Sequence, residues 1–284
     1  MAQMQIDFFS NSLRRTVNIK VIIPTDKHLF PGRAVPEKKP YKTLYLLHGV
    51  FGNNTDWISG TRVQLWAEER NLVVVMPDGE NKFYTDNNIS GDRFSTFLGE
   101  ELIQFTRDTL PLSAKREDTF IGGLSMGGYG AIVNGLKYHN VFGRICAFSS
   151  GLILEKYRNA DNTSPNLIDR KSFYEASFGP YEAVPGSDKD YYYLAKITAD
   201  LKEKPMIYMA CGTQDPLTPD NRKFHDYLQK AGYDVTYEEW TGNHDWLFWD
   251  QCIEKVMGWL PVGPAIRGIG SGNTTCQKEK EDKK

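Results

Sequence analysis

Residues 121–131 read IGGLSMGGYGA, and within them Gly123, Leu124, Ser125, Met126 and Gly127 form a G-x-S-x-G pentapeptide. A serine hydroxyl is a weak nucleophile near neutral pH, so chemistry at Ser125 needs a general base beside it and an acid that orients the base. In a chain with 25 glycines the pentapeptide alone is weak, and its setting decides. It follows the run TFIGG and opens the helical stretch MGGYGAIVNGLKYH, so strand, sharp turn and helix succeed one another with the serine on the turn. The flanking glycines fit that geometry, because a side chain at either position would meet the neighbouring strand or helix.

Five histidines could supply the base. His28 falls in an early loop, His139 at a helix end and His225 on a polar helix face. His244 lies in TGNHDW, after the run DVTYEEW and before the last helical stretch. That is the carboxyl end of an expected strand, where the sites of parallel sheets gather. Asp215, in CGTQDPL after PMIYMACG, holds the equivalent position and is the expected orienting acid. Asp245 competes, but a carboxylate adjacent in sequence to a histidine rarely turns back onto the same ring. Charge developing on a carbonyl oxygen also requires two backbone donors. Met126 offers one at a helix start, where N–H groups are unpaired and the dipole is favourable. Val50 offers the other in HGVFGNNTDW, where Gly49 and Gly52 permit a tight loop and His48 reads as its support. The chemistry implied is attack on an ester carbonyl, an acyl-serine intermediate and hydrolysis by water, with no metal or organic cofactor.

The elements that must position these residues are short apolar runs separated by helical patterns, the signature of a parallel sheet with crossover helices. Strands are expected at 17–24, 43–48, 72–78, 119–123, 144–150, 205–212 and 234–240. Helical spacing occupies 62–70, 99–110, 126–139, 219–232 and 245–260. The expected fold is α/β, a mostly parallel sheet of about eight strands flanked by helices. Residues 1–150 and 204–261 make its core. Residues 151–203, rich in Tyr, Asp, Asn, Ser and Pro, break the alternation and are expected as a small cap. Residues 262–284 turn glycine-rich and then charged, which predicts a disordered tail.

Composition narrows the partners. With 34 Lys plus Arg against 36 Asp plus Glu the formal charge is −2, which provides no basic surface for nucleic acid. No segment approaches about 18 uninterrupted apolar residues, so no membrane span is expected. Cys146, Cys211, Cys252 and Cys276 are scattered without metal spacing and are expected as free thiols, in keeping with a cytoplasmic location. A small or neutral substrate is the expected partner, and a homo-oligomer stays open.

On YLLHGVFGN, the MPDG turn followed by FYTD, FLGEELIQF, GLSMGGYGA, CGTQD and GNHDW, the chain resembles the esterase D-like branch of α/β-hydrolases from about residue 5 to 261. That branch includes tributyrin, feruloyl and acetylxylan esterases, S-formylglutathione hydrolases and mycolyltransferases. The resemblance implies an α/β-hydrolase fold with Ser125 as nucleophile, His244 as general base and acid, Asp215 as its orienter, and Val50 and Met126 as oxyanion donors. It also implies a serine carboxylesterase for short-chain acyl or hydroxycinnamoyl esters, with an acylated oligosaccharide as one candidate substrate. Leu124 and the Val-Phe-Gly-Asn loop depart from the S-formylglutathione hydrolase pattern. Thioester hydrolysis, acyl transfer to an alcohol and a binding protein on a hydrolase fold are the alternatives. Trp57 and Trp246 flank the expected site and are candidates for substrate binding. Tyr157, Phe173, Tyr174, Phe178, Tyr181 and Tyr191 to Tyr193 either line an aromatic acyl pocket or pack the cap onto the sheet.

Overall fold

The computed structural model describes residues 1–26 and 40–265. Ten strands form in chain order: β1 Ala2–Ser10, β2 Arg15–Ile23, β3 Thr43–Leu47, β4 Val73–Pro77, β5 Asp86–Asn87, β6 Asp92–Arg93, β7 Thr119–Leu124, β8 Arg144–Phe148, β9 Met206–Gly212 and β10 Val235–Trp240. Eight build one sheet in the order β1-β2-β4-β3-β7-β8-β9-β10, while β5 and β6 pair separately. The β1–β2 and β2–β4 pairs are antiparallel and every later pair is parallel. This is the α/β-hydrolase fold.

β3, β4 and β7 are buried along their whole length, which is why they read as continuous apolar runs rather than alternating ones. Alternate residues still serve opposite faces. Tyr45, Leu47, Ile121 and Ile145 join one core with helices Leu102–Thr109, Met126–Lys137 and Thr218–Lys230. Leu44, Leu46, Phe120 and Phe148 join the other with helices Val63–Glu69 and Trp246–Trp259.

β1 lies outside the strands expected from sequence. Its AQMQIDFFS is an edge strand that alternates apolar Ala2, Met4, Ile6 and Phe8 with polar Gln3, Gln5 and Asp7; it is mostly exposed, and Ile6 and Phe8 pack on the core, Phe8 stacked on Phe105 at 3.8 Å. Residues 151–203, between β8 and β9, carry helices Leu154–Arg158, Lys171–Phe178 and Tyr191–Ile197 and no strand. Half of their eight aromatics, Tyr157, Tyr174, Phe178 and Tyr191, are buried, with Phe178 and Tyr191 edge-on to Tyr129 of the helix after Ser125.

Cys146, Cys211 and Cys252 are buried free thiols. Among the described residues no helix is long and apolar enough to cross a membrane, and no cluster of His, Cys, Asp and Glu could hold a metal ion. His28, Cys276 and the expected tail from residue 266 onward lie outside the described residues.

Candidate active site

Ser125 stands between β7 and the helix Met126–Lys137 with φ 52° and ψ −116°, a backbone conformation that L-residues rarely adopt. Its N–H donates to Phe148 O at 2.9 Å, and its carbonyl accepts from Tyr129 N at 3.0 Å and Gly151 N at 2.8 Å. Three backbone hydrogen bonds thus hold the turn. The flanking glycines are a steric requirement: a Cβ on Gly123 would lie 2.5 Å from the Gly127 carbonyl, and one on Gly127 2.4 Å from Leu47 O.

His244 follows β10 and faces Ser125 from the neighbouring loop. Its Nε2 lies 3.1 Å from Ser125 Oγ and its Nδ1 lies 2.8 Å from Asp215 Oδ2. Asp215 follows β9, is 4% exposed, and also accepts from Leu217 N–H at 2.8 Å. Burial pushes its carboxyl up, but the hydrogen bond and charge of His244, the Leu217 N–H and the Ser149 hydroxyl together hold it below the ordinary aspartate value. An ionised Asp215 therefore accepts Nδ1–H and leaves Nε2 able to take a proton from the serine. Asp245 is engaged elsewhere, as N-cap of the last helix through Phe248 N–H at 3.0 Å. Trp249 packs edge-on to His244 at 4.9 Å and donates its indole N–H to Ser149 Oγ at 3.1 Å, fixing the face of the imidazole.

Val50 and Met126 both line the cavity above Ser125, and among the described residues neither backbone N–H has a hydrogen-bond partner. The Val50 loop is shaped from below. His48 is buried; its Nε2 accepts from Gly79 N–H at 2.9 Å, which leaves Nδ1–H to donate to Gly49 O at 2.7 Å. Tyr84 OH donates to His48 O at 3.1 Å, and Asn81 Oδ1 accepts from Phe51 N–H at 2.8 Å. Sequence reasoning singled out neither Tyr84 nor Asn81; the one available signal was the MPDG and FYTD segments that contain or flank them.

The cavity encloses about 950 Å³. Ser125, Met126, Val50 and His244 line it, as does Trp246 beside Gly60, where a Cβ would meet the Trp246 ring at 2.4 Å. Phe173 and Tyr174 reach it from the 151–203 segment, together with the ion-paired Lys156 and Asp169. Trp57 is the correction: it does not line the cavity. Its indole turns under the loop, 1% exposed, donates to Leu47 O at 2.9 Å, and packs edge-on against Trp246 at 5.7 Å. Trp57 props the wall that Trp246 presents.

Known proteins are similar to this chain over nearly its whole length. The model of the family described as "Putative esterase" matches residues 10–260. The chain is 42% identical over 261 residues to an acetyl esterase of Caldicellulosiruptor saccharolyticus, spanning 92% of this chain and 98% of that protein. A fluorophosphonate-binding serine hydrolase of Staphylococcus aureus superposes with a TM-score of 0.79 at 31% identity, over 91% of this chain and 98% of its own. An S-formylglutathione hydrolase of the same organism superposes with a TM-score of 0.77 at 30% identity, with the same coverage.

Proposed function

This chain belongs to that esterase family, and from this premise we propose that it is a serine carboxylesterase that hydrolyses short-chain acyl esters, acetyl esters foremost, through an acyl-serine intermediate. The observation that carries the proposal is the imidazole of His244, hydrogen-bonded to Ser125 Oγ on one side and to the buried Asp215 on the other.

Ser125 Oγ attacks the ester carbonyl as His244 Nε2 takes its proton, and Asp215 stabilises the imidazolium that results. The carbonyl oxygen becomes an oxyanion held by the unpaired N–H groups of Val50 and Met126. Collapse expels the alcohol, protonated by His244, and leaves Ser125 acylated. A water deprotonated by His244 then attacks the acyl carbon, a second oxyanion forms and breaks down, and the carboxylic acid leaves while Ser125 recovers its proton.

The acetyl preference draws support from the 42% identical acetyl esterase. An acetyl group fills little of a cavity of about 950 Å³, so the alcohol part, an acylated oligosaccharide among the candidates, has room beside it. Phe173, Tyr174 and Trp246 also suit a planar hydroxycinnamoyl group, the second substrate reading. Hydrolysis of p-nitrophenyl acetate, butyrate and octanoate, methyl ferulate and S-formylglutathione, with Ser125→Ala as control, tests the proposal. Serine-dependent turnover led by acetate supports it. A preference for ferulate or for the thioester replaces the acyl assignment, and turnover retained by Ser125→Ala removes the mechanism.

A further inference from the structure

We propose that Asn81 is a positioning residue for the oxyanion donor of Val50, an inference that rests on Ser125 being the nucleophile. Two peptide planes meet at Val50, and each is pinned by a different side chain. In the first, Gly49 O accepts from His48 Nδ1–H at 2.7 Å and from Gly52 N–H at 3.3 Å. A trans peptide directs its C=O and N–H oppositely, so a carbonyl held on His48 turns the Val50 N–H away from that ring. In the second, Phe51 N–H donates to Asn81 Oδ1 at 2.8 Å.

Phe51 is where the loop needs that bond. It has φ 66°, in the left-handed region, and is 70% exposed, so the Gly52 N–H to Gly49 O bond across the turn and the Asn81 acceptor hold it there, not backbone preference or burial. Without the Asn81 acceptor only the 3.3 Å bond across the turn opposes a return of Phe51 to negative φ, and the Val50–Phe51 plane, joined at the Val50 Cα to the plane that carries the Val50 N–H, loses its own pin. Asn81 is itself anchored through its backbone: its carbonyl accepts from Ser177 Oγ–H at 3.0 Å. The adjoining Thr85 and Asn87 side chains donate to Ser177 O at 2.9 Å and Ala176 O at 3.0 Å at the end of the helix Lys171–Phe178. These bonds do not involve the Asn81 side chain and survive its replacement.

The test compares Asn81→Leu, of similar size but without an acceptor, with Asn81→Asp, which keeps one; Asn81→Ala serves if the leucine variant does not fold. With p-nitrophenyl acetate, Asn81→Leu should lower kcat about 10- to 100-fold, less than removal of an oxyanion donor outright, with KM within about twofold. The affinity for a trifluoromethyl ketone, whose serine adduct carries the oxyanion, should weaken by the same factor as kcat/KM, and Asn81→Asp should retain most of both. Unchanged kcat in Asn81→Leu overturns the proposal. So does a loss of kcat with ketone affinity intact, or an Asn81→Asp variant as impaired as Asn81→Leu. Ser125→Ala separates the two levels: if it keeps turnover, the nucleophile assignment falls and Asn81 with it, whereas an inert Ser125→Ala beside a fully active Asn81→Leu overturns the role of Asn81 alone.

Discussion

Glycine to alanine should act with opposite signs in two helices of this protein. Within a helix the change ordinarily stabilises by about 0.5–1 kcal/mol, because glycine loses the most backbone freedom on folding. Gly258, exposed near the end of the helix Trp246–Trp259, has nothing within 4 Å of the position its Cβ would take. Gly258→Ala should therefore raise the unfolding temperature by roughly 1–3 °C and leave kcat unchanged. Gly127 is the second residue of the helix after Ser125, and its Cβ would lie 2.4 Å from Leu47 O and 2.7 Å from His48 O. Both are backbone atoms, and ordinary contact is about 3.5 Å or more, so something must move by about 1 Å. Overpacking of that kind costs about 1–3 kcal/mol, which outweighs the helical gain and lowers the unfolding temperature by a few degrees. The atoms that must separate carry Ser125 and Met126 on one side and the Val50 loop on the other. A misplacement of about 1 Å there lowers turnover about 100-fold. Scanning calorimetry and steady-state kinetics on p-nitrophenyl acetate read both effects. A Gly127→Ala protein as stable and as active as the parent would refute the steric account of the turn.

Asp215→Asn should lower kcat by about 10³–10⁴ with the fold intact, because an amide can hold the His244 ring in the wrong tautomer; loss below tenfold would demote Asp215. The Asp215 carboxyl titrates below the ordinary 3.8, so its ionised form favours the folded state. That contribution is complete above about pH 4 and is lost as pH falls through the lowered folded value. Urea midpoints between pH 7 and pH 3 should accordingly fall less steeply for Asp215→Asn than for the parent, and equal slopes would contradict the sign. Trp246→Ala opens the wall that Trp57 and Gly60 support and should shift acyl preference from acetate toward octanoate. An unchanged ratio would remove Trp246 from the acyl pocket.

The central strands were legible because burial on both faces leaves no polar residue to interrupt them, as in LVVVMP around β4. β1 was not read, although Ala2, Met4, Ile6 and Phe8 alternate with Gln3, Gln5 and Asp7, because an edge strand with one covered face shows that weaker alternation in place of a continuous apolar run. The residues at the candidate site were legible from strand ends: Ser125, Asp215 and His244 each follow a strand that its own sequence announces. What lay beyond the sequence was direction. Trp57 closes the HGVFGNNTDW segment that carries Val50, yet its indole turns into the core. Conversely, Asn81 is 30 residues from Phe51, and the flanking MPDG and FYTD segments do not say what its side chain meets. The aromatics of 151–203 admitted two readings because a ring packing a segment down and a ring lining a cavity have the same composition. Only their placement separates the buried Tyr157 and Phe178 from Phe173 at the cavity.

The hydrogen bond from Ser125 Oγ–H to His244 Nε2 spans 119 positions of sequence, and the groups around it hang from β3, β7, β9 and β10. During synthesis the serine therefore emerges long before the histidine that would activate it. On the proposed mechanism, a chain interrupted anywhere between them carries an inert hydroxyl, and turnover begins only once the last parallel strand has docked. Turnover is thus a late marker of maturation, and its appearance during refolding times the closing of the far edge of the sheet rather than the collapse of its centre.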